Sequence, residues 1–138
     1  MFKRIIFCVL IISTIVYLTS FGKSDYNNFE SQFMEQYYAI IQNINDKEVD
    51  SILKNLQSKE NKKILDSMSK LLSDNKGLLK GHEKKYIELQ ELYTGLVDLK
   101  NAYSTWDSLD LDRKLYLNSK LSDIYFYLSQ KDYYLGQN

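Results

Sequence analysis

The sequence HEKKY, at residues 82–86, comes nearest to a reactive motif in this chain. In the related HExxH motif, two histidines one helical turn apart bind zinc and the glutamate acts as a general base. Here Tyr86 takes the place of the second histidine, and His82 is the only histidine in the sequence. We therefore predict no metal at this position. The segment is instead expected to begin a helix, with Glu83 near the partial positive charge of the N-terminus.

Three aspartates in the sequence DSLDLD, at residues 107–112, suggest a cation site at first sight. A calcium-binding EF-hand loop places oxygen ligands at its first, third and fifth positions. If Asp110 is the first ligand, the fifth position is Lys114, whose ammonium group would repel the ion. The spacing therefore favours a structural role, in which Asp107 or Asp110 caps the N-terminus of the following helix.

Other residue types that support catalysis are few. The single cysteine, Cys8, lies inside an apolar run, and the sequence has no glycine-rich phosphate loop. Glu88 and Glu91 are close together, but such pairs are common on the solvated face of a helix. Lysine and arginine total 18, as do aspartate and glutamate, so no basic surface for nucleic acid is indicated. The sequence predicts a protein that is not an enzyme, with no catalytic residue, no cofactor and no metal.

Aromatic residues are the most informative side chains, with twelve tyrosines and six phenylalanines in the sequence. Several are adjacent, at residues 37–38, 125–127 and 133–134. Neighbours on a helix point about 100° apart, so one buried face cannot hold them all and some must be partly exposed. Tyrosine is enriched among the anchors of protein interfaces. We predict a partner-binding face on the last helix, made of Tyr125, Phe126, Tyr127, Tyr133 and Tyr134.

Two other interpretations of the aromatic residues stay open at this point. One is a wide core flanked by ordinary half-exposed tyrosines, whose rings cover apolar surface while their hydroxyls reach water. The other is contact with lipid headgroups, where tyrosine is also enriched. Trp106 is expected to close one end of the molecule rather than to bind a ligand.

Apolar residues recur every three or four positions along most of the chain, which is typical of amphipathic helices. Proline is absent, so no such residue interrupts long helices. The pattern predicts helical segments at about residues 28–45, 46–72, 82–104 and 107–131. The predicted fold class is therefore all-α: an N-terminal signal or anchor helix followed by a small antiparallel three- to four-helix bundle.

Several local features of these segments can be compared with the structure. Polar residues 58–63 favour a break in the second segment, and Asn27 with Glu30 resembles a capping box at the start of the first. Gly95, inside the third segment, is expected to allow a neighbouring helix to approach closely. The first segment should bury Phe29, Phe33, Tyr37, Ile40, Ile41 and Ile44. The last should bury Leu115, Leu117, Leu121, Ile124, Tyr125 and Leu128.

A leader precedes these segments. Residues 5–21 form an uncharged apolar run of 17 residues directly after a basic pair at residues 3–4. As a helix this run spans about 26 Å, close to the roughly 30 Å of bilayer hydrocarbon. Small residues at Ser20 and Gly22 also fit a signal-peptidase site. Residues 1–22 are therefore predicted to be a cleaved signal peptide or an uncleaved membrane anchor, with a buried core helix as the third possibility.

Both leading interpretations place the bundle domain, residues 23–138, outside the cytoplasm, because the basic pair before the run stays inside. The expected location is extracellular or periplasmic, with a tether to the cytoplasmic membrane through residues 5–21 if these are uncleaved. We expect a non-enzymatic accessory protein that docks a protein partner, or self-associates, at the outer side of that membrane. The alternatives are a membrane-tethered helical spacer or lysis-accessory protein, and a small secreted immunity protein.

Overall fold

The computed structural model describes the backbone of residues 25–78 and 80–135, and the side chains of residues 25–77 and 80–130. Within these ranges the regular structure is entirely helical, which confirms the all-α prediction. The α-helices are α1 (25–42), α2 (Val49–Leu56), α3 (Lys59–Asp74), α4 (Glu83–Ala102) and α5 (Leu111–Leu135). Two short 3-10 turns lie between the later helices, at Lys76–Leu78 and Trp106–Ser108.

The helix α1 supplies a large part of the core. All the apolar residues predicted for this segment are buried, from Phe29 to Ile44, and Phe33 and Ile40 have no exposed surface. The spacing of three and four residues places those within α1 on one side of the helix, where the other helices cover them, and Ile44 is buried just after the helix ends. The prediction for the buried face of this segment is confirmed.

The start of α1 differs from the prediction. The chain is already helical at Asp25, so Asn27 lies within the helix with its side chain exposed. An N-cap residue must itself have a non-helical backbone conformation. The capping box predicted from Asn27 and Glu30 is therefore wrong. Glu30 instead lies 3.2 Å from the Nζ atom of Lys85 on α4.

The second segment is interrupted near the polar residues 58–63, as predicted. The break includes only the first of them, Ser58. The helix α2 ends at Leu56, and Ser58 has an extended backbone conformation. The Ser58 hydroxyl accepts a hydrogen bond from the backbone N–H of Asn61 at 3.1 Å and thereby caps α3. The rest of the polar stretch forms the first turns of α3. Because this segment divides, the described residues contain five α-helices rather than three or four.

A cluster of three asparagines joins the end of α1 to α2 and α3. Asn61 is fully buried, and its amide donates to the backbone and side-chain oxygens of Asn55 at 3.0 and 2.6 Å. The side-chain oxygen of Asn61 accepts from Nδ2 of Asn43 at 3.1 Å. Asn55 Nδ2 in turn donates to the Asn43 carbonyl oxygen at 2.6 Å. No pattern in the sequence indicated this cluster.

The helices α4 and α5 pack side by side in opposite directions. Asp98, near the end of α4, accepts a hydrogen bond from the Tyr116 hydroxyl at 2.8 Å and pairs with Arg113 at 3.3 Å, near the start of α5. Farther along the pair, the Lys120 side chain crosses over Gly95. A Cβ atom at Gly95 would lie 3.1 Å from Lys120 Cδ. Gly95 thus makes room for the Lys120 side chain of α5, and not for the close approach of a helix that the sequence predicted.

We expect Gly95→Ala to raise the free energy of unfolding by up to about 0.5 kcal/mol. Alanine stabilises a helix interior by about 1 kcal/mol relative to glycine, and part of this gain is offset because Lys120 must shift by a few tenths of an ångström. Urea unfolding followed by circular dichroism measures the change. Gly95→Leu, which is too large for the Lys120 contact, should be destabilising. A loss of stability with alanine as well would show that Lys120 is held rigidly.

The helix α5 buries four residues at helical spacing: Leu117, Leu121, Ile124 and Leu128. It continues to Leu135, beyond the predicted end near residue 131. Leu115 is 59% exposed, so its predicted place in the core is wrong. Two residues along a helix correspond to a rotation of about 200°, which puts residues 115 and 117 on nearly opposite sides. Once Leu117 faces the core, Leu115 faces outward.

The turns at the ends of the helices also contribute to packing. Trp106 is half-buried against the core in the turn before α5, as predicted. The Tyr86 hydroxyl donates to the carbonyl oxygen of Leu72 at 2.8 Å and ties α4 to α3.

The predicted leader, residues 1–22, lies outside the described residues. Among the helices that the structure describes, none has both the length and the apolar character needed to cross a bilayer.

Candidate functional site

Three aromatic rings from α1 and α5 meet at the surface. We call them the aromatic patch: Tyr38, Phe126 and Tyr127. The Tyr127 ring lies in the middle, with centroids 5.5 Å from Tyr38 and 5.2 Å from Phe126 and with ring planes nearly perpendicular. Tyr38 is 42% exposed and Phe126 is 57% exposed. Edge-to-face pairs of this kind contribute about 0.5–1.5 kcal/mol beyond the area they bury, so the rings hold one another in place.

Tyr37 forms the floor beneath the aromatic patch. Its side chain is buried, and its ring centroid lies 5.0 Å from that of Tyr127. Burial, together with the Asp123 carboxylate and the Tyr127 and Tyr38 phenols, raises the pKa of Tyr37 well above its usual range. Burial, the Tyr38 phenol and Asp123 also raise the pKa of Tyr127. The raised pKa values keep the Tyr37 and Tyr127 phenols neutral to a higher pH than an ordinary phenol, so both present a ring and a hydroxyl without charge.

The three consecutive aromatic residues predicted to bind a partner have different surroundings. Phe126 and Tyr127 belong to the aromatic patch. Tyr125 is half-buried, and its hydroxyl donates to the carbonyl oxygen of Lys47 at 3.1 Å. This hydrogen bond fastens α5 to the connection between α1 and α2. Tyr125 therefore positions α5. Phe126 faces outward, and the Tyr127 ring lies between α1 and α5.

The remaining members of the predicted set, Tyr133 and Tyr134, lie in the last turns of α5, and their side chains fall outside the described ones. Tyr38 belongs to the patch but was not in the predicted set. The adjacency of residues 37 and 38 did indicate that one of the two rings would be exposed. Nothing in the sequence placed that ring beside α5, because the contact joins residues far apart along the chain.

A cleft of about 360 Å³ lies beside the aromatic patch, between α1, α4 and α5, and Tyr127 forms part of its wall. Four carboxylates and two ammonium groups line it, so its formal charge is −2. These groups belong to Glu30, Glu88, Glu91, Asp123, Lys85 and Lys120. Lys85 already pairs with Glu30. The surface next to the neutral patch is therefore negative.

The residues first considered for chemistry have structural contacts. The His82 ring stacks on Tyr26, with centroids 3.9 Å apart and nearly parallel planes. The Asp110 carboxylate accepts from the backbone N–H of Arg113 at 2.7 Å, which confirms Asp110 as a helix cap. Within the part of the chain that the structure describes, no group of three histidine, cysteine, aspartate or glutamate side chains is arranged to hold a metal ion.

No family model, curated protein or solved structure matches this chain. A function is therefore inferred from the aromatic patch, from the negative cleft beside it and from the leader that the sequence predicts.

Proposed function

We propose that this chain is a non-enzymatic exported accessory protein that docks a protein partner through the aromatic patch. The observation that carries the proposal is the exposure of Tyr38 and Phe126, 42% and 57%, on either side of Tyr127. Tyrosine and other large aromatic residues are enriched among the residues that dominate binding energy at interfaces. Because Tyr37 and the mutual ring contacts already order the patch, docking would cost little side-chain entropy.

The charges beside the patch indicate the kind of partner. The cleft has a formal charge of −2, and Glu88 and Asp123 have no ion pair within the described residues. A partner with lysine or arginine at this edge would be attracted, and added salt would slow its association. We therefore propose a partner that places an apolar side chain on Phe126 and basic residues near the cleft.

The leader supports the proposed location. Residues 5–21 are apolar and uncharged and follow the basic pair at residues 3–4, a combination that directs export. We place residues 23–138 outside the cytoplasm, at the outer side of the membrane, either freed by cleavage or tethered by an anchor helix. Sequencing the N-terminus of the mature protein distinguishes the two: it begins at Lys23 if cleaved and at Met1 if tethered.

Photo-cross-linking tests the docking surface. Benzoylphenylalanine at residue 126 or 38 should form a covalent adduct with a partner in intact cells. The same residue at position 87 should not, although Ile87 on α4 is also an exposed apolar residue, at 53%. Equal adduct formation at positions 87 and 126, or no adduct at position 126, would refute the proposal that the partner docks on the aromatic patch.

The affinity of the cross-linked partner gives a quantitative prediction. Phe126→Ala and Tyr38→Ala should each weaken binding of that purified partner by at least about tenfold, as expected for anchor residues. Ile87→Ala is the matched control and should leave the affinity unchanged. Ile87→Ala should melt like the wild type by circular dichroism, whereas each patch variant should melt somewhat lower because it loses one edge-to-face ring pair, so the affinities are compared at a temperature where all three are folded. Full affinity in both patch variants would contradict the proposal.

A further inference from the structure

The outward side of α5 carries a row of exposed residues. We call it the outer stripe: Leu111, Leu115, Ser119, Ser122 and Phe126. At 100° per residue, the stripe covers about 80° of arc and lies about 150° from the line that α5 buries in the core. Leu111 and Leu115 are 71% and 59% exposed. The helix therefore has two apolar sides, of which the bundle covers only one.

The outer stripe is free of charge. The charged residues among the described side chains of α5 lie on its flanks or toward α4: Asp112, Arg113, Lys114, Lys120 and Asp123. The serine hydroxyls of the stripe already donate within their own helix, Ser119 to the Tyr116 carbonyl at 2.6 Å and Ser122 to the Asn118 carbonyl at 3.0 Å. Another surface can therefore cover these serines without leaving an unpaired donor.

We propose that a second copy of this chain covers the outer stripe, with the two α5 helices antiparallel. The stripe is self-complementary about a point between residues 118 and 119. In that register Leu115 of one copy lies over Ser122 of the other, so a large side chain fills the space above a small one. Leu111 lies beside Phe126, and the two copies of Ser119 lie next to each other. Two-fold symmetry makes each contact twice, as in most homodimers.

Charge favours a second copy over a charged foreign partner at this face. Two neutral stripes meet without repulsion, whereas a basic partner would be attracted to the cleft, with its charge of −2, on a different side of α5. Self-association here therefore uses a surface that adjoins the docking surface for a foreign protein proposed above, and a second copy and a foreign partner would compete for the Phe126 side chain. The two surfaces share only Phe126.

The area of the contact sets its strength. In this register the two α5 helices overlap over residues 111–126, which span about 24 Å, and a helix is about 10 Å wide, so the contact covers roughly 240 Å² of projected surface on each copy. This is less than the roughly 800 Å² per partner of a typical stable complex. We therefore expect a weak, reversible dimer, which tethering to a membrane would favour by concentrating the chains.

Disulfide cross-linking of the full chain in detergent tests the register. In a Cys8→Ser background, Ser119→Cys should form a covalent dimer on mild oxidation, since the two copies of residue 119 flank the two-fold axis. Ser67→Cys, exposed on α3, is the control and should give several-fold less dimer. An equimolar mixture of Leu115→Cys and Ser122→Cys should cross-link faster than either variant alone.

Two results would overturn the proposal. One is a dimer yield from Ser119→Cys no higher than from Ser67→Cys. The other is Ser122→Cys dimerising alone as readily as its mixture with Leu115→Cys, which would show a parallel pair.

A charge placed in the stripe provides a second test. Leu115→Glu should abolish the concentration-dependent increase in sedimentation coefficient, and Ile87→Glu, the same change at an exposed apolar residue of α4, should preserve it. Equal effects of the two substitutions would reject the stripe as the interface. Cross-linking of a foreign partner from residue 38 should persist in Leu115→Glu. If that adduct disappears while self-association remains, the stripe binds the foreign partner and the dimer proposal fails.

Discussion

Asn61→Leu is expected to lower the free energy of unfolding by about 2–4 kcal/mol, although leucine is more apolar and a better helix former than asparagine. Asn61 is fully buried, and the substitution removes its hydrogen bonds to Asn43 and Asn55. The polar atoms left behind lie in a part-buried region, where each unsatisfied group costs about 1–3 kcal/mol. Urea unfolding followed by circular dichroism should show the midpoint lowered by about 1–2 M.

Two further variants show whether the asparagine cluster causes the loss. Asn101→Leu, on the exposed side of α4, should change the free energy of unfolding by less than about 0.5 kcal/mol. Asn43→Ala combined with Asn61→Leu should cost less than the sum of the two single changes, because both remove the same hydrogen bond. Wild-type stability in Asn61→Leu would mean that a leucine side chain replaces the cluster without loss.

Asn61 also shows why part of the core could not be predicted from sequence. It lies among the polar residues 58–63, and asparagine is usually exposed. Its position nevertheless continues the buried line of Leu65, Met68 and Leu72, at a spacing of four, three and four residues. The helical spacing therefore indicates that residue 61 is buried, whereas its being an asparagine favours exposure. Only the neighbouring asparagines make its burial tolerable, and their proximity depends on how α1, α2 and α3 meet.

Periodicity predicted the buried residues well where a helix has a single apolar side. In α1 every predicted core residue is buried. In α5, apolar residues occupy two opposite sides, and the sequence offers no means of choosing which side the bundle covers. For this reason the pattern places Leu115 in the core, although the residue is exposed. The structure shows which of the two apolar sides the bundle covers, and the side left uncovered is the outer stripe.

The aromatic patch was only half predictable. Adjacent rings at residues 125–127 cannot all face one side of a helix, so at least one of them had to be exposed. The structure confirms this for Phe126. Which ring is exposed depends on the rotation of α5 against α4. The presence of Tyr38 beside Tyr127 depends on the placement of α1. Both are tertiary relations, so the local pattern indicated that a surface of this type exists and the packing determined its members.

The bundle is expected to lose stability above about pH 10, with Tyr37 as a main cause. Burial raises the pKa of Tyr37 in the folded state, whereas the unfolded chain releases the phenol proton near pH 10. The contribution of this group to stability is therefore complete below pH 10 and is lost as the pH rises toward the folded-state pKa. The loss approaches about 1.4 kcal/mol per pH unit, or about 2–3 kcal/mol between pH 10 and 12.

Urea unfolding at a series of pH values from 9 to 12 measures this slope, and two phenylalanine variants assign it. Tyr37→Phe has no phenol to ionise, so its stability should fall less steeply, by about 1 kcal/mol per pH unit. Tyr103→Phe, at a 42% exposed position, should follow the wild type. Burial also raises the pKa of Tyr127, so some slope should persist in Tyr37→Phe. An unchanged slope in Tyr37→Phe would instead mean that water reaches the Tyr37 hydroxyl beneath the aromatic patch. The patch would then lack the rigid, buried support that the docking proposal requires.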